Sequence, residues 1–147
     1  MTDRYAVEQV GVADGTSVPA KKLNGALVGA KIRSIRATKQ VLADASTDRV
    51  YLGQLPIGAT VKEILLVTDT SLGTATIAVG TTAAPAKYVA ARTFTAPLDA
   101  PTSIGPKASA WDDAPLPAVE DLWLTVGAAA MPGSAIVGVE IRYTISA

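Results

Sequence analysis

Alternation of apolar and polar residues is most sustained near the C-terminus. In SAIVGVEIRYTISA, Val137, Val139, Ile141, Tyr143 and Ile145 share one side, and Gly138, Glu140, Arg142 and Thr144 the other. A period of two over this length predicts a strand with one buried face. EDLWLTVG behaves alike, setting Leu122, Leu124 and Val126 against Trp123 and Thr125, and Pro132-Gly133 supplies a turn between the two runs. GTATIAVG opposes Ala75, Ile77 and Val79 to Thr74, Thr76 and Ala78. A turn through TTAAP then leads into AKYVAARTF, so these two runs predict a hairpin with a longer loop. Upstream, KIRSIRATKQVLA reads as one irregular strand, because Ile32 and Ile35 break strict alternation. RVYLGQL and TVKEILLVT follow as strands, separated by the Pro-Gly turn of LPIGA.

Two stretches lack such a period. Residues 11–30 mix Gly, Ala, Ser, Pro and Lys, which predicts an extended or irregular N-terminal arm over residues 1–30 and a body over 31–147. A helix across 23–30 is disfavoured, since Gly25 and Gly29 each cost about 1 kcal/mol relative to Ala. Residues 95–117 contain five prolines and no strand-like run, which predicts a long loop. Roughly seven or eight short strands joined by turns predict an all-β fold. A β-sandwich of jelly-roll type is the first choice and an Ig-like arrangement the second.

Composition narrows the chemistry. The chain of 147 residues is 49% hydrophobic but only 5% aromatic, so one core must be built from Val, Ile, Leu and Ala. It has no cysteine and no histidine. Disulfides and thiolate metal sites are excluded, and the commonest general base and metal ligand are missing. No serine lies in a G-x-S-x-G or S-x-x-K context. Asp112-Asp113 and Glu120-Asp121 are adjacent pairs whose members point to opposite sides of an extended chain. The reading is a protein that is not an enzyme, with no cofactor and no metal. Trp111 is expected to anchor the Pro-rich loop against the body; the alternative is a sugar-stacking role beside the two acids.

Charge balances overall but not along the chain. Up to Lys39, seven basic residues (Arg4, Lys21, Lys22, Lys31, Arg33, Arg36, Lys39) face three acids (Asp3, Glu8, Asp14). The net +4 there is offset by −4 in the remainder. In KIRSIRATK, Lys31, Arg33 and to a lesser extent Lys39 share a strand face, with Arg36 near the opposite side. Without interleaved aromatics this is no nucleic-acid site. It reads as a charged edge strand, or as a surface for an acidic protein. No apolar run reaches the length of a membrane span, and the N-terminus lacks the pattern of a secretory signal.

The run RVYLGQLPIGATVKEILLVTDTSLGTATIAVGTTAAPAKYVAARTFTAP resembles a pattern of small virion proteins of tailed bacteriophages. Its elements are Leu52 to Ala59, Ser71 to Thr81, Ala86 to Tyr88 and Leu122 to Gly127, with NGALVGAKIRSIRA fitting upstream. The match spans roughly residues 24–145 as a composition-style pattern. The resemblance implies a head decoration (cement) protein on the capsid exterior, made in the host cytoplasm. It implies a homotrimer that binds the major capsid protein through a β-sandwich body and an arm, with no nucleic acid and no membrane as partners. Lys21, Lys22, Leu23, Leu27 and Val28 are then the capsid-contact arm, and Lys31, Arg33 and Arg36 the interface strand. Competing expectations are a head-fibre base, tail component or receptor-binding module, a carbohydrate-binding sandwich using Trp111 or Trp123, and a small hydrolase using acidic residues.

Overall fold

The runs that alternate most cleanly in the sequence are strands in the computed structural model, which describes residues 15–22, 29–39, 44–111 and 113–145. In chain order the elements are β1 (Arg33–Thr38), β2 (Arg49–Leu55), β3 (Ala59–Thr68), β4 (Thr76–Gly80), β5 (Val89–Thr93), β6 (Leu98–Gly105), α1 (Ala108–Trp111), β7 (Glu120–Gly127) and β8 (Val137–Ile145). They form two four-stranded antiparallel sheets, ordered β1-β8-β3-β6 and β2-β7-β4-β5.

The pairing is nested. β4 pairs β5, β3 pairs β6, β2 pairs β7 and β1 pairs β8, so the chain folds back on itself like one long hairpin. The hairpin is then rolled so that β3 also pairs β8 and β4 also pairs β7. This is the jelly-roll topology, the first of the two arrangements that the strand pattern predicted.

The inward residues follow from the alternation. Leu122, Leu124 and Val126 of β7, Ile77 and Val79 of β4, Ile64 and Leu66 of β3, and Ile141 of β8 are all buried in one core between the sheets. Each such side chain contributes about 1.5–3 kcal/mol on full burial. On β8 the alternation holds through Ile141, after which Tyr143 and Ile145 are only half-buried and Thr144 is buried. The change coincides with a bulge in β3 between Val61 and Glu63, opposite Tyr143 and Arg142.

A second bulge, in β2 between Tyr51 and Gly53, leaves Gly53 at a φ of 148°. A Cβ there would sit 2.8 Å from Cγ2 of Ile35, so glycine at this point lets β2 approach β1 closely.

Residues 95–117 correct the expectation of an unstructured loop. They contain β6 and α1. β6 was illegible because it is an edge strand, exposed along most of its length, with Pro101 inside it. An edge strand needs no alternation and tolerates a residue that cannot donate to a ladder. The remainder of the segment is tied down: Gly58 N–H donates to Leu116 O at 2.8 Å, and Leu116 N–H to Ala59 O at 3.0 Å. At the other end, β1 is shorter than the KIRSIRATKQVLA run, ending at Thr38. The described arm residues, 15–22 and 29–30, carry neither strand nor helix. No helix among the described residues is long and apolar enough to cross a membrane.

Candidate functional site

β1 is an edge strand that carries Arg33 and Arg36, with Lys31 just before it and Lys39 just after it. Lys31, Arg33 and Arg36 are all exposed. Arg36 lies on the outward side of the sheet, in register with Glu140, while Arg33 shares the inward side with Ile35 and emerges where the strand begins. Lys39 keeps the side of Arg33, opposite Arg36, but differs in exposure: it is buried and meets Asp44 Oδ2 at 3.1 Å, because that side turns toward the core beyond the start of the strand. Lys21 and Lys22 are exposed, whereas Leu23, Leu27 and Val28 lie outside the described residues. The outward face next to β1 is partly apolar. Leu65 and Val67 of β3, with Ile136, Pro101 and Arg36, line a cavity of about 200 Å³.

Farther across the same sheet, toward β6, lies a larger groove of about 470 Å³. Its polar side is Arg142, whose Nη1 donates to Glu63 Oε2 at 3.0 Å and whose Nε donates to Glu140 Oε1 at 3.1 Å. The bulge in β3 sets Glu63 opposite Arg142 on neighbouring strands. The hydrogen bond to Glu140 is the main cause that raises the Arg142 pKa above its usual value; partial desolvation opposes it. Ser103, Lys62 and the β6 end at Ile104, Gly105 and Pro106 complete the walls, with Ile32 and Trp111 at the rim.

Trp111 is not the anchor that the sequence suggested. It is 63% exposed, while Ala110 beside it is buried. The small alanine faces the core, and Leu116 and its two backbone bonds hold the segment that follows. The indole is left facing out over the groove.

The second tryptophan is in the opposite situation. Trp123 lies on the outer face of the other sheet, in register with Tyr51. The Tyr51 ring meets it edge-on at 5.1 Å, and the Arg49 guanidinium sits 4.7 Å from its centroid. Arg49 Nη1 also donates to Thr82 Oγ1 at 3.0 Å. Asp121 Oδ1 accepts from Tyr51 O–H and Gln54 Nε2, both at 3.1 Å. Sequence reading missed this cluster, although the matched alternation of RVY and LWLT contained the signal: paired strands place Arg49, Tyr51 and Trp123 on one face.

The acidic doublets form no facing pair. Glu120 is engaged by Tyr88 and Lys87, Asp121 by Tyr51 and Gln54, and Asp113 is exposed. Asp112 lies outside the described residues. Among the described residues no group of three or more acidic side chains is placed to hold a metal ion.

The same architecture occurs in phage capsids. A chain of the Cyanophage Pam1 capsid asymmetric unit superimposes with a TM-score of 0.56 at 18% identity, covering 91% of this chain and 99% of that one. A chain from the capsid of Ralstonia phage GP4 gives 0.52 at 21% identity, covering 80% of this chain and 86% of that one. At these identities the likeness is one of fold. No protein-family model and no curated sequence matches the chain.

Proposed function

We propose that this chain is a virion structural protein that binds the outside of a phage capsid and stabilises it, without a catalytic role. The observation that carries the reading is the likeness to a capsid-derived chain across 91% of this chain and 99% of the other. The shared unit is thus the whole domain and no local motif. The basic edge β1 supports it, because Lys31, Arg33 and Arg36 form no ion pair among the described residues. Exposed cations on and just before an open strand edge suit an acidic protein surface. The arm, with exposed Lys21 and Lys22, extends that contact. Attachment as a homotrimer belongs to the same reading, since many weak contacts repeated over a shell sum to firm binding.

The test is to mix purified protein with capsids lacking surface proteins. Attachment, together with a higher temperature of capsid disruption, is the expected result. Failure to bind, or binding that leaves capsid stability unchanged, rejects the reading. Light scattering of the free protein checks the trimer separately.

A further inference from the structure

We propose that the groove beside Trp111 binds a neutral saccharide, with a sugar ring stacked on the indole and its hydroxyls bridging the Glu63–Arg142 pair. The groove runs from Ile32, beside the β1 edge, across β8 and β3 to Trp111. Trp111 itself follows β6, the edge strand opposite β1, and the inference holds whether or not the chain decorates a capsid.

Four observations select this ligand class. First, the indole is available. Trp111 is 63% exposed, while Trp123 is already covered by Arg49 and Tyr51. Second, it is presented from a pinned backbone and so costs little to order on binding. Lys107 N–H donates to Tyr88 O at 2.7 Å, Ala110 N–H to Lys107 O at 2.9 Å, and Ala110 is buried.

Third, the groove is amphipathic in the way a sugar ring is. Ile32 and Trp111 offer apolar surface, matching the C–H face of a pyranose. The carboxylate and guanidinium between them offer an acceptor and donors at 3.0 Å from each other, a spacing that two adjacent hydroxyls can bridge. Glu63 Oε1 and Arg142 Nη2 have no partner among the described residues. Fourth, the charges are largely offset. Lys62, Arg142 and Glu63 line the groove, and Arg142 is paired both with Glu63 and with Glu140 beside the groove, so the site offers little net attraction to an anion or a cation. An added peptide strand would take the free edge of β6, whereas the groove is lined by side chains of β3 and β8 as well as β6. The volume of about 470 Å³ falls within the roughly 300–1,000 Å³ of small-molecule sites.

The full-length chain is screened on an array of neutral and anionic bacterial oligosaccharides. It is then titrated in solution with maltotriose, cellotriose and chitotriose while tryptophan emission is followed. A neutral oligosaccharide is expected to bind and to perturb the emission. Trp111→Ala should weaken binding at least tenfold, Trp111→Tyr should restore part of it, and Trp123→Phe should bind as the parent does. Thermal unfolding of each variant shows that the fold is retained. The proposal is overturned if no neutral glycan binds the parent, if only anionic glycans bind, or if Trp111→Ala binds undiminished. Loss of capsid attachment in Trp111→Ala without any glycan binding overturns it too, and makes the groove a protein contact.

Discussion

The Tyr88 hydroxyl donates to Glu120 Oε1 at 2.5 Å while Lys87 Nζ meets Glu120 Oε2 at 2.6 Å. The carboxylate at the start of β7 is thereby tied to the turn that joins β4 to β5. Burial is the main cause that pushes the phenol well above its usual value of 10.0, with the Glu120 hydrogen bond adding to it. The folded state holds this proton longer than the unfolded chain does. Its stabilising effect is therefore fully present below pH 10 and is lost as pH rises beyond it. Denaturant unfolding measured between pH 8 and about 11 should show stability falling from about pH 10. Tyr88→Phe should remove the part of that slope due to Tyr88 and cost about 1 kcal/mol at neutral pH. An unchanged slope in the variant would show that the phenol is not the group responsible.

Gly80 ends β4 where the chain turns back toward Tyr88. A Cβ at this position would lie 2.7 Å from Lys87 N and 2.7 Å from the carbonyl carbon of Pro85. Both are backbone atoms, which cannot swing aside as a side chain can. Gly80→Ala is expected to destabilise by about 3 kcal/mol, at the upper end of overpacking costs. Gly73→Ala is a useful contrast. No atom lies within 4 Å of its Cβ, and only its φ of 62° opposes the change, so about 1 kcal/mol is expected. Equal losses in chemical denaturation would refute the steric argument.

Much of the fold was legible because its strands are half-buried. RVYLGQL coincides with β2, and EDLWLTVG with β7; in both, one face meets the core and the pattern records it. β6 left no such record. Most of it is exposed, so its place is decided by pairing with β3, which is a contact distant in sequence. The site was less readable for the same reason. Trp111 and the acids next to it drew attention as neighbours in the chain, yet the partners the structure supplies are Glu63 and Arg142, brought in by β3 and β8. Lys39 shows a related limit: alternation places it on the side of Arg33, but that this side is inward, and that Asp44 meets the ammonium there, comes from contacts outside the strand.

The Arg49–Trp123 contact has an optical signature. Removing the guanidinium that covers the indole at 4.7 Å exposes it to water, so Arg49→Ala should shift tryptophan emission to longer wavelength. The contact is on the surface, and the stability cost should be about 0.5–1 kcal/mol. Arg49→Lys should recover only part of it, since a compact ammonium cannot lie flat on the ring as guanidinium does. Full recovery by lysine would indicate a simple charge effect.

The docking edge and the arm are separable by mutation. Arg33 and Arg36 are exposed and form no ion pair among the described residues; since Arg36 stands in register with Glu140, reversing both charges should cost stability, by about 1 kcal/mol at most. Attachment to an acidic capsid surface should respond very differently. Arg33→Glu with Arg36→Glu is expected to weaken binding at least tenfold at low ionic strength, and the difference from the parent should shrink as salt screens the charges. Deleting residues 1–30 removes no residue of β1–β8. The truncated chain should therefore unfold at nearly the parent temperature and yet bind capsids more weakly. Sedimentation of capsid–protein mixtures across a salt series, paired with thermal unfolding of the free proteins, checks both. Salt-independent binding by the charge-reversed variant at the parent's affinity would remove β1 from the docking surface, and unfolding of the truncated chain would show that the arm is part of the body.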